Sequence, residues 1–241
     1  MGSEVSAGTL SVEWLGQVGY GEALEMQQAA VTDRVAGRTS DRLFLLEHPA
    51  VVTLGRSTDP SNLNEDPDTL RARGVEVFEV GRGGDVTYHA PGQLVGYPII
   101  DLDAAGRRDV HLHLRLIEEA LIEALEIVGV PATRVDGWTG VFVDRARTTR
   151  PGATDGPERK IASIGVGMRR WVTFHGFALN VTLDLKGFDA IVPCGLSEVR
   201  MTSVAEELGA GAGESEADLA RLDERVREAV GERMRVVLGA S

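Results

Sequence analysis

A chain of 241 residues, 43% hydrophobic and 26% charged, is long enough to bury a real core and has the composition of a globular protein, neither a disordered tail nor a membrane protein. Its net charge of -12 argues against a nucleic-acid partner, which demands a basic footprint, and a lone cysteine forms no internal disulfide. No run approaches the roughly 18 apolar residues of a membrane span, and "MGSEVSAGTL" has neither a basic n-region nor an apolar h-region, so the expectation is a cytoplasmic protein with no membrane association.

In chain order, "SVEWLG" (11–16) alternates weakly and reads as a first strand. From Tyr20 to Val35, the residues Ala23, Leu24, Gln27, Val31 and Val35 share one stripe of a helix. "RLFLLEH" (42–48) and "VVTLG" (51–55) are strand-like, broken at Pro49, and "NLNEDPDTLRARG" gives a turn and a short helix. "VEVFEVG" (75–81) restores strand periodicity. The stretch 82–102, rich in glycine and proline between β-formers, predicts a tight loop joining two strands, with backbone held close to something.

The clearest helix is "VHLHLRLIEEALIEALEIVGV" (110–130), ended by Gly129, followed by short strands near "ATRV" and "GVFVD". Residues 145–158 have the composition of an exposed loop, read as an insertion between neighbouring strands of one sheet. Residues 160–185 read as a hairpin pair, and 216–238 as a last helix carrying Leu219, Leu222, Val226, Ala229 and Val237 at helical spacing. The expected architecture is a single α+β domain over 1–241, a mixed β-sheet flanked by helices.

Cys194, in "IVPCGLSEV", is the sole thiol nucleophile. A free thiol has a pKa of about 8.5, and a nearby cation or a ring of backbone N–H groups lowers it to a useful thiolate. The opposing reading is a small buried hydrophobe, the commonest fate of an unreactive cysteine. Candidate bases or compensating cations are His48, His89, His175 and Lys160, the lysine at the head of the strand "KIASIGVG". Each has a plain alternative: a solvated strand end for Lys160, a hydrogen-bonded core residue for His175, and core for Tyr88. The five histidines follow no zinc spacing, so no metal is expected. "RGGDVTYH" lacks the GxxxxGK[ST] phosphate loop, and no GxGxxG opens a long helix after a strand. Backbone N–H groups at Gly83 and Gly84 remain suited to an oxygen or a carbonyl.

Three blocks together resemble the lipoyl(octanoyl) transferase family: "RGGDVTYHAPGQLVGYPI" (82–99), "RKIASIGVGMRRWVTFHGFALNV" (159–181) and "PCGL" (193–196), with matching order and spacing over most of residues 11–208. The resemblance implies the catalytic fold of the related biotin and lipoate protein ligases. It also implies that Cys194 carries an octanoyl thioester and that Lys160 activates it. Substrate contacts are implied for Arg82, Gly83, Gly84, Asp85, Val86, Thr87, Tyr88 and His89, for Ser163, Ile164 and Gly165, and for Gly176, Phe177 and Ala178. Many relatives have HGPGQ where this chain has "HAPGQ", so Ala90 adds a methyl group to that loop.

The implied reaction moves octanoate from octanoyl-acyl carrier protein to a lysine of lipoyl domains, those of 2-oxoacid dehydrogenase E2 subunits and of the glycine cleavage H protein. Transfer from a thioester needs no cofactor and no ATP. Two other readings stand beside it: an ATP-dependent lipoate or biotin-type ligase, which does not need the cysteine, and a non-catalytic acyl-binding protein. Because both protein partners are expected to be acidic, the entrance of a protein of charge -12 calls for a local basic rim, with Arg82, Arg159, Arg169 and Arg170 as candidates.

Overall fold

Apolar residues at period two divide the strands between two faces, and this division builds the protein. The computed structural model describes residues 10–148, 156–192, 199–210 and 214–239. Strand β1 (Ser11–Gln17) leads to helix α1 (Tyr20–Val35), then to β2 (Arg42–Glu47) and β3 (Val51–Leu54) on either side of Pro49. Helix α2 (Pro67–Ala72) is capped by Asp66, which accepts from the N–H groups of Asp68 and Thr69. Strands β4 (Glu76–Glu79), β5 (Val86–His89) and β6 (Gln93–Ile99) follow. Helix α3 (Val110–Val128) starts at the Asp109 cap and stops at Gly129, whose φ of 96° suits a residue without Cβ. Then come β7 (Ala132–Thr133), β8 (Val141–Val143), β9 (Glu158–Arg169), β10 (Val172–Asn180), β11 (Val199–Met201), α4 (Val204–Glu207) and α5 (Glu216–Gly239).

Among the described residues the larger sheet has the order β1-β2-β6-β10-β9-β8-β7, with β11 also paired to β9. It is mixed: β1 on β2 and β11 on β9 are parallel, and the other pairs are antiparallel. Leu43, Leu45, Leu94 and Leu179 face the side where α3 and α5 pack, against Ile117, Leu121, Val226 and Met234. The alternate residues Phe44, Leu46, Val95 and Tyr97 face Ala23, Ala30 and Val31 of α1. A three-stranded sheet, β4-β3-β5, packs around Val52, Leu70, Val86, Phe188 and Ile191.

The mixed sheet flanked by helices is the expected fold class, and the insertion preceding β9 does join strands that pair, β8 and β9. The stretch 82–102 is two strands joined by a tight loop, as expected, but the two do not pair with each other. It contains both β5 and β6, and these lie in different sheets, so the segment crosses from the small sheet to the large one. The hairpin turn between β9 and β10 is Arg170–Trp171, both left-handed at φ 49° and 66°. Two such residues match the twist of a tight hairpin, a position that sequence normally announces with Asn-Gly. Here the Trp171 ring is held under Arg108, 5.5 Å from its centroid, and its carbonyl accepts from Leu102 N–H.

Close strand packing at Gly96 gives a direct prediction. A Cβ there would overlap the Phe177 ring across the β6–β10 pair. Gly96→Ala is expected to lower stability by about 1–3 kcal/mol through overpacking. Urea unfolding should show a lower midpoint at an unchanged slope; an unchanged midpoint would mean that Phe177 has another place to go.

Candidate active site

The segment that crosses between the sheets closes one side of a cavity about 50 Å³ in volume. Since about 10–15 Å³ on this scale holds one water, a file of a few such groups fits, which suits a slender chain. The Arg82 loop and β5 contribute Arg82, Gly84, Asp85, Val86, Thr87 and His89. From β9 come Ser163, Ile164 and Gly165, and from β10 Gly176, Phe177 and Ala178. Register explains the meeting, because Ser163 lies opposite Ala178 and Gly165 opposite Gly176. At Gly165 the crossing loop comes so close that a Cβ would lie 2.8 Å from the Gly83 carbonyl oxygen. Glycine is required there by the approach of two backbones.

Two residues grouped with these by sequence lie elsewhere. Gly83 joins the loop to β9 through its N–H, which donates to the Val166 carbonyl at 2.9 Å, and does not line the cavity. Tyr88 sits one step out of phase with Thr87 and His89, so the pleat turns it away. Its ring packs on Phe188 and leaves no room for a side chain at Gly187. The core reading of Tyr88 describes this placement.

Sequence reasoning passed over Tyr20, Val95 and Tyr97, which complete the lining together with His175. Tyr20 and Tyr97 carried no signal beyond that of apolar core. His48 links them: its Nδ1–H donates to the Val18 carbonyl at 2.7 Å, so its Nε2 accepts from Tyr97 Oη at 2.7 Å. Burial pushes the Tyr20 hydroxyl up to about 12, with Arg82 pulling weakly the other way. Burial likewise holds His48 and His175 down at about 4, and takes His89 down to about 3 with help from the neighbouring His48. Near neutral pH the cavity is therefore walled by uncharged imidazoles and phenols, beside the guanidinium of Arg82 and the carboxyl group of Asp85.

Arg82 is buried and donates to the carbonyl and hydroxyl oxygens of Thr53, each at 2.8 Å. Arg159 is buried too, and both oxygens of Glu207 accept from it at 2.9 and 3.1 Å. Neither is a rim cation, because each is committed to holding elements together. Arg169 and Arg170 are exposed at the hairpin turn, as is Arg56 beside the crossing loop.

Lys160 is 2% exposed, near the head of β9 and three residues before Ser163, about 10 Å along the strand. Its Nζ lies 5.7 Å from the Phe142 ring centroid. Gly140, at φ 128°, makes the room: a Cβ there would lie 2.7 Å from Lys160 Cε. Gly140 and Phe142 were not singled out from sequence, although a glycine directly before a strand is a signal of close approach. A buried polar chain ties Lys160 to the cavity. The His89 Nδ1–H donates to Gln93 Oε1 at 2.7 Å, Gln93 Nε2 to Asn180 Oδ1 at 2.9 Å, and Asn180 Nδ2 to the Thr202 carbonyl at 2.8 Å. Thr202 N–H then donates to the Lys160 carbonyl at 3.0 Å.

Cys194 lies outside the described residues. The chain on both sides of its segment is anchored at the site. Val192 N–H donates to the Asn62 carbonyl at 2.8 Å, and Asn62 Nδ2 donates to Asp85 at 2.5 Å. On the other side β11 runs beside β9, with Met201 opposite Lys160. Among the described residues no group of three His, Cys, Asp or Glu side chains is placed to hold a metal, and no helix is long and apolar enough to cross a membrane.

The cavity closed by the crossing loop and the buried lysine beside it thus share one mixed sheet. Residues 19–230 match the lipoyl protein ligase A/B catalytic domain, and the chain belongs to that family. In fold it is similar to the bipartite lipoate protein ligase of Thermoplasma acidophilum, with a TM-score of 0.64 at 19% identity over 95% of this chain and 83% of that one. Curated relatives include octanoyltransferases. That of Acidobacterium capsulatum is 48% identical over 205 residues, 83% of this chain and 80% of the relative. That of Chloroflexus aurantiacus is 44% identical over 225 residues, 93% of each. Within the family the chain is thus an acyltransferase of the octanoyltransferase kind.

Proposed function

We propose that this chain, acting as one domain, transfers an octanoyl group from octanoyl-acyl carrier protein to a lysine of lipoyl domains through a thioester on Cys194, with Lys160 as proton donor and acceptor. The observation that carries the reading is the meeting of the 82–89, 163–165 and 176–178 segments in one narrow cavity on the strand that bears Lys160. The Cys194 thiolate attacks the carbonyl of the incoming thioester, the new C–S bond forms, and the carrier thiolate leaves with a proton from the Lys160 ammonium. In the second half the acceptor amine attacks, the C–N bond forms, the bond to Cys194 breaks, and Lys160 takes the amine proton. Burial of the alkyl chain supplies about 0.8 kcal/mol per CH₂, enough over several carbons to position the group. The exposed Arg56, Arg169 and Arg170 suit an acidic protein partner.

The ligase reading retains the fold, and ATP separates the two. Mixed with octanoyl-acyl carrier protein and no ATP, the protein is expected to gain one octanoyl group in intact-mass measurement and to lose it when apo lipoyl domain is added. Modification of the domain only with free octanoate and ATP would replace this reading with the ligase.

A further inference from the structure

The cavity ends at a residue that the reaction scheme leaves without a role. His175 is 2% exposed, with its backbone in the left-handed region at φ 56°. That conformation is costly for a side chain with a Cβ, and it is held by Gln27 of α1, whose Oε1 accepts from His175 N–H at 2.8 Å. The imidazole packs against the rings of Phe174 and Tyr97, with centroids 5.0 and 6.3 Å away, and its Nε2 is buried with no hydrogen-bond partner. Burying an unpaired polar atom in a strained backbone does not stabilise a fold, so the ring has another use.

Its position shows what that use is. His175 lines the cavity and also lines a separate groove of about 450 Å³ behind it, bounded by Leu24 and Val31 of α1, Met168 of β9 and Phe174 of β10. No other residue lines both. Along β10 the lining of the cavity spans from Ala178, opposite Ser163 and nearer Lys160, to His175, three residues or about 10 Å away. An acyl group whose carbonyl lies toward Lys160 thus points its methyl end at the imidazole.

We propose that His175 is the end wall that sets acyl chain length, separating a cavity that takes a medium chain from a groove able to take the tail of a longer one. The inference rests on the octanoyl-transfer reading. Glycine accepts the left-handed backbone at this position without strain, so His175→Gly removes the wall while easing the conformation. Leu24 lines the groove and not the cavity, so Leu24→Trp narrows the groove alone.

The test measures the rate of acyl loading by intact mass with octanoyl- and dodecanoyl-N-acetylcysteamine. Wild type is expected to favour octanoyl by at least about tenfold. His175→Gly should lower that ratio at least about tenfold through faster dodecanoyl loading, and adding Leu24→Trp should restore it. Leu24→Trp alone should leave the wild-type ratio unchanged; an altered ratio would mean that the chain already reaches the groove, and would overturn the wall. A His175→Gly variant that loads octanoyl with the wild-type preference would overturn it equally. If wild type loads neither thioester, it is the octanoyl-transfer reading that fails.

Discussion

Cys194→Ala is expected to abolish acyl loading, and Lys160→Met to slow it by about 10²–10⁴-fold with the fold intact. The cysteine substitution removes the only thiol in the chain, so no second sulfur takes over the thioester. The lysine argument is one of environment. Lys160 is buried on a strand whose neighbours leave its side chain a shaped space, through the missing Cβ of Gly140 and the face of the Phe142 ring. A group used once as acid and once as base contributes about 10²–10⁴ to rate, which sets the magnitude. Methionine keeps the length of the side chain and its packing, but removing one partner of a buried polar contact costs stability, so a lowered melting temperature with a retained unfolding transition is expected beside the slower rate. Loss of activity from unfolding is thus separable by measuring the melting temperature. Single-turnover loading followed by intact mass reads the effect. A Lys160→Met enzyme that loads at the wild-type rate would remove the lysine from the mechanism, and a stable octanoyl adduct on Cys194→Ala would remove the cysteine.

Much of this site was legible because the chemistry sits in contiguous blocks. "RGGDVTYH", "SIG" and "GFA" announce themselves as small residues beside strands, and the strand register then brings the last two face to face at Ser163–Ala178 and Gly165–Gly176. The helices were legible for a different reason: α3 and α5 each bury one long stripe, and Gly129 marks the end of α3. What sequence did not disclose depends on contacts between distant segments. That β5 and β6 belong to different sheets is decided by their partners β3 and β2, which no local pattern encodes. Arg82 and Arg159 look like surface cations by type, and only the tertiary positions of Thr53 and Glu207 make them internal braces. Tyr20 and Tyr97 were not singled out, since a buried aromatic at a wall and one in a core have the same local sequence, and His175 stood only as a candidate base or a core residue.

The concentration of buried imidazoles has a consequence for the whole protein. Between pH 6 and pH 5 it is expected to lose about 3–5 kcal/mol of folding stability. His48, His113 and His175 are held at about 4, and His89 at about 3, all chiefly by burial, against 6.5 in the unfolded chain. A histidine depressed in this way stabilises the fold fully above pH 6.5, because the unfolded chain gains nothing by protonation there. As pH falls from 6.5 toward 4 the unfolded chain takes up protons that the folded one refuses, at about 1.4 kcal/mol per proton per pH unit. Asp223 acts in the opposite sense: burial raises its carboxyl to about 6, so the folded state binds its proton first, but the group is partly exposed and offsets the four histidines only weakly. Urea unfolding at pH 7, 6 and 5 measures the slope. His113 lies on α3, outside the cavity, with its Nε2 unpartnered, so His113→Met should remove about a quarter of the pH dependence. A stability that stays flat from pH 7 to pH 5 would show that water reaches these rings in the folded protein, and the uncharged state of the cavity's imidazoles would then have to be abandoned with it.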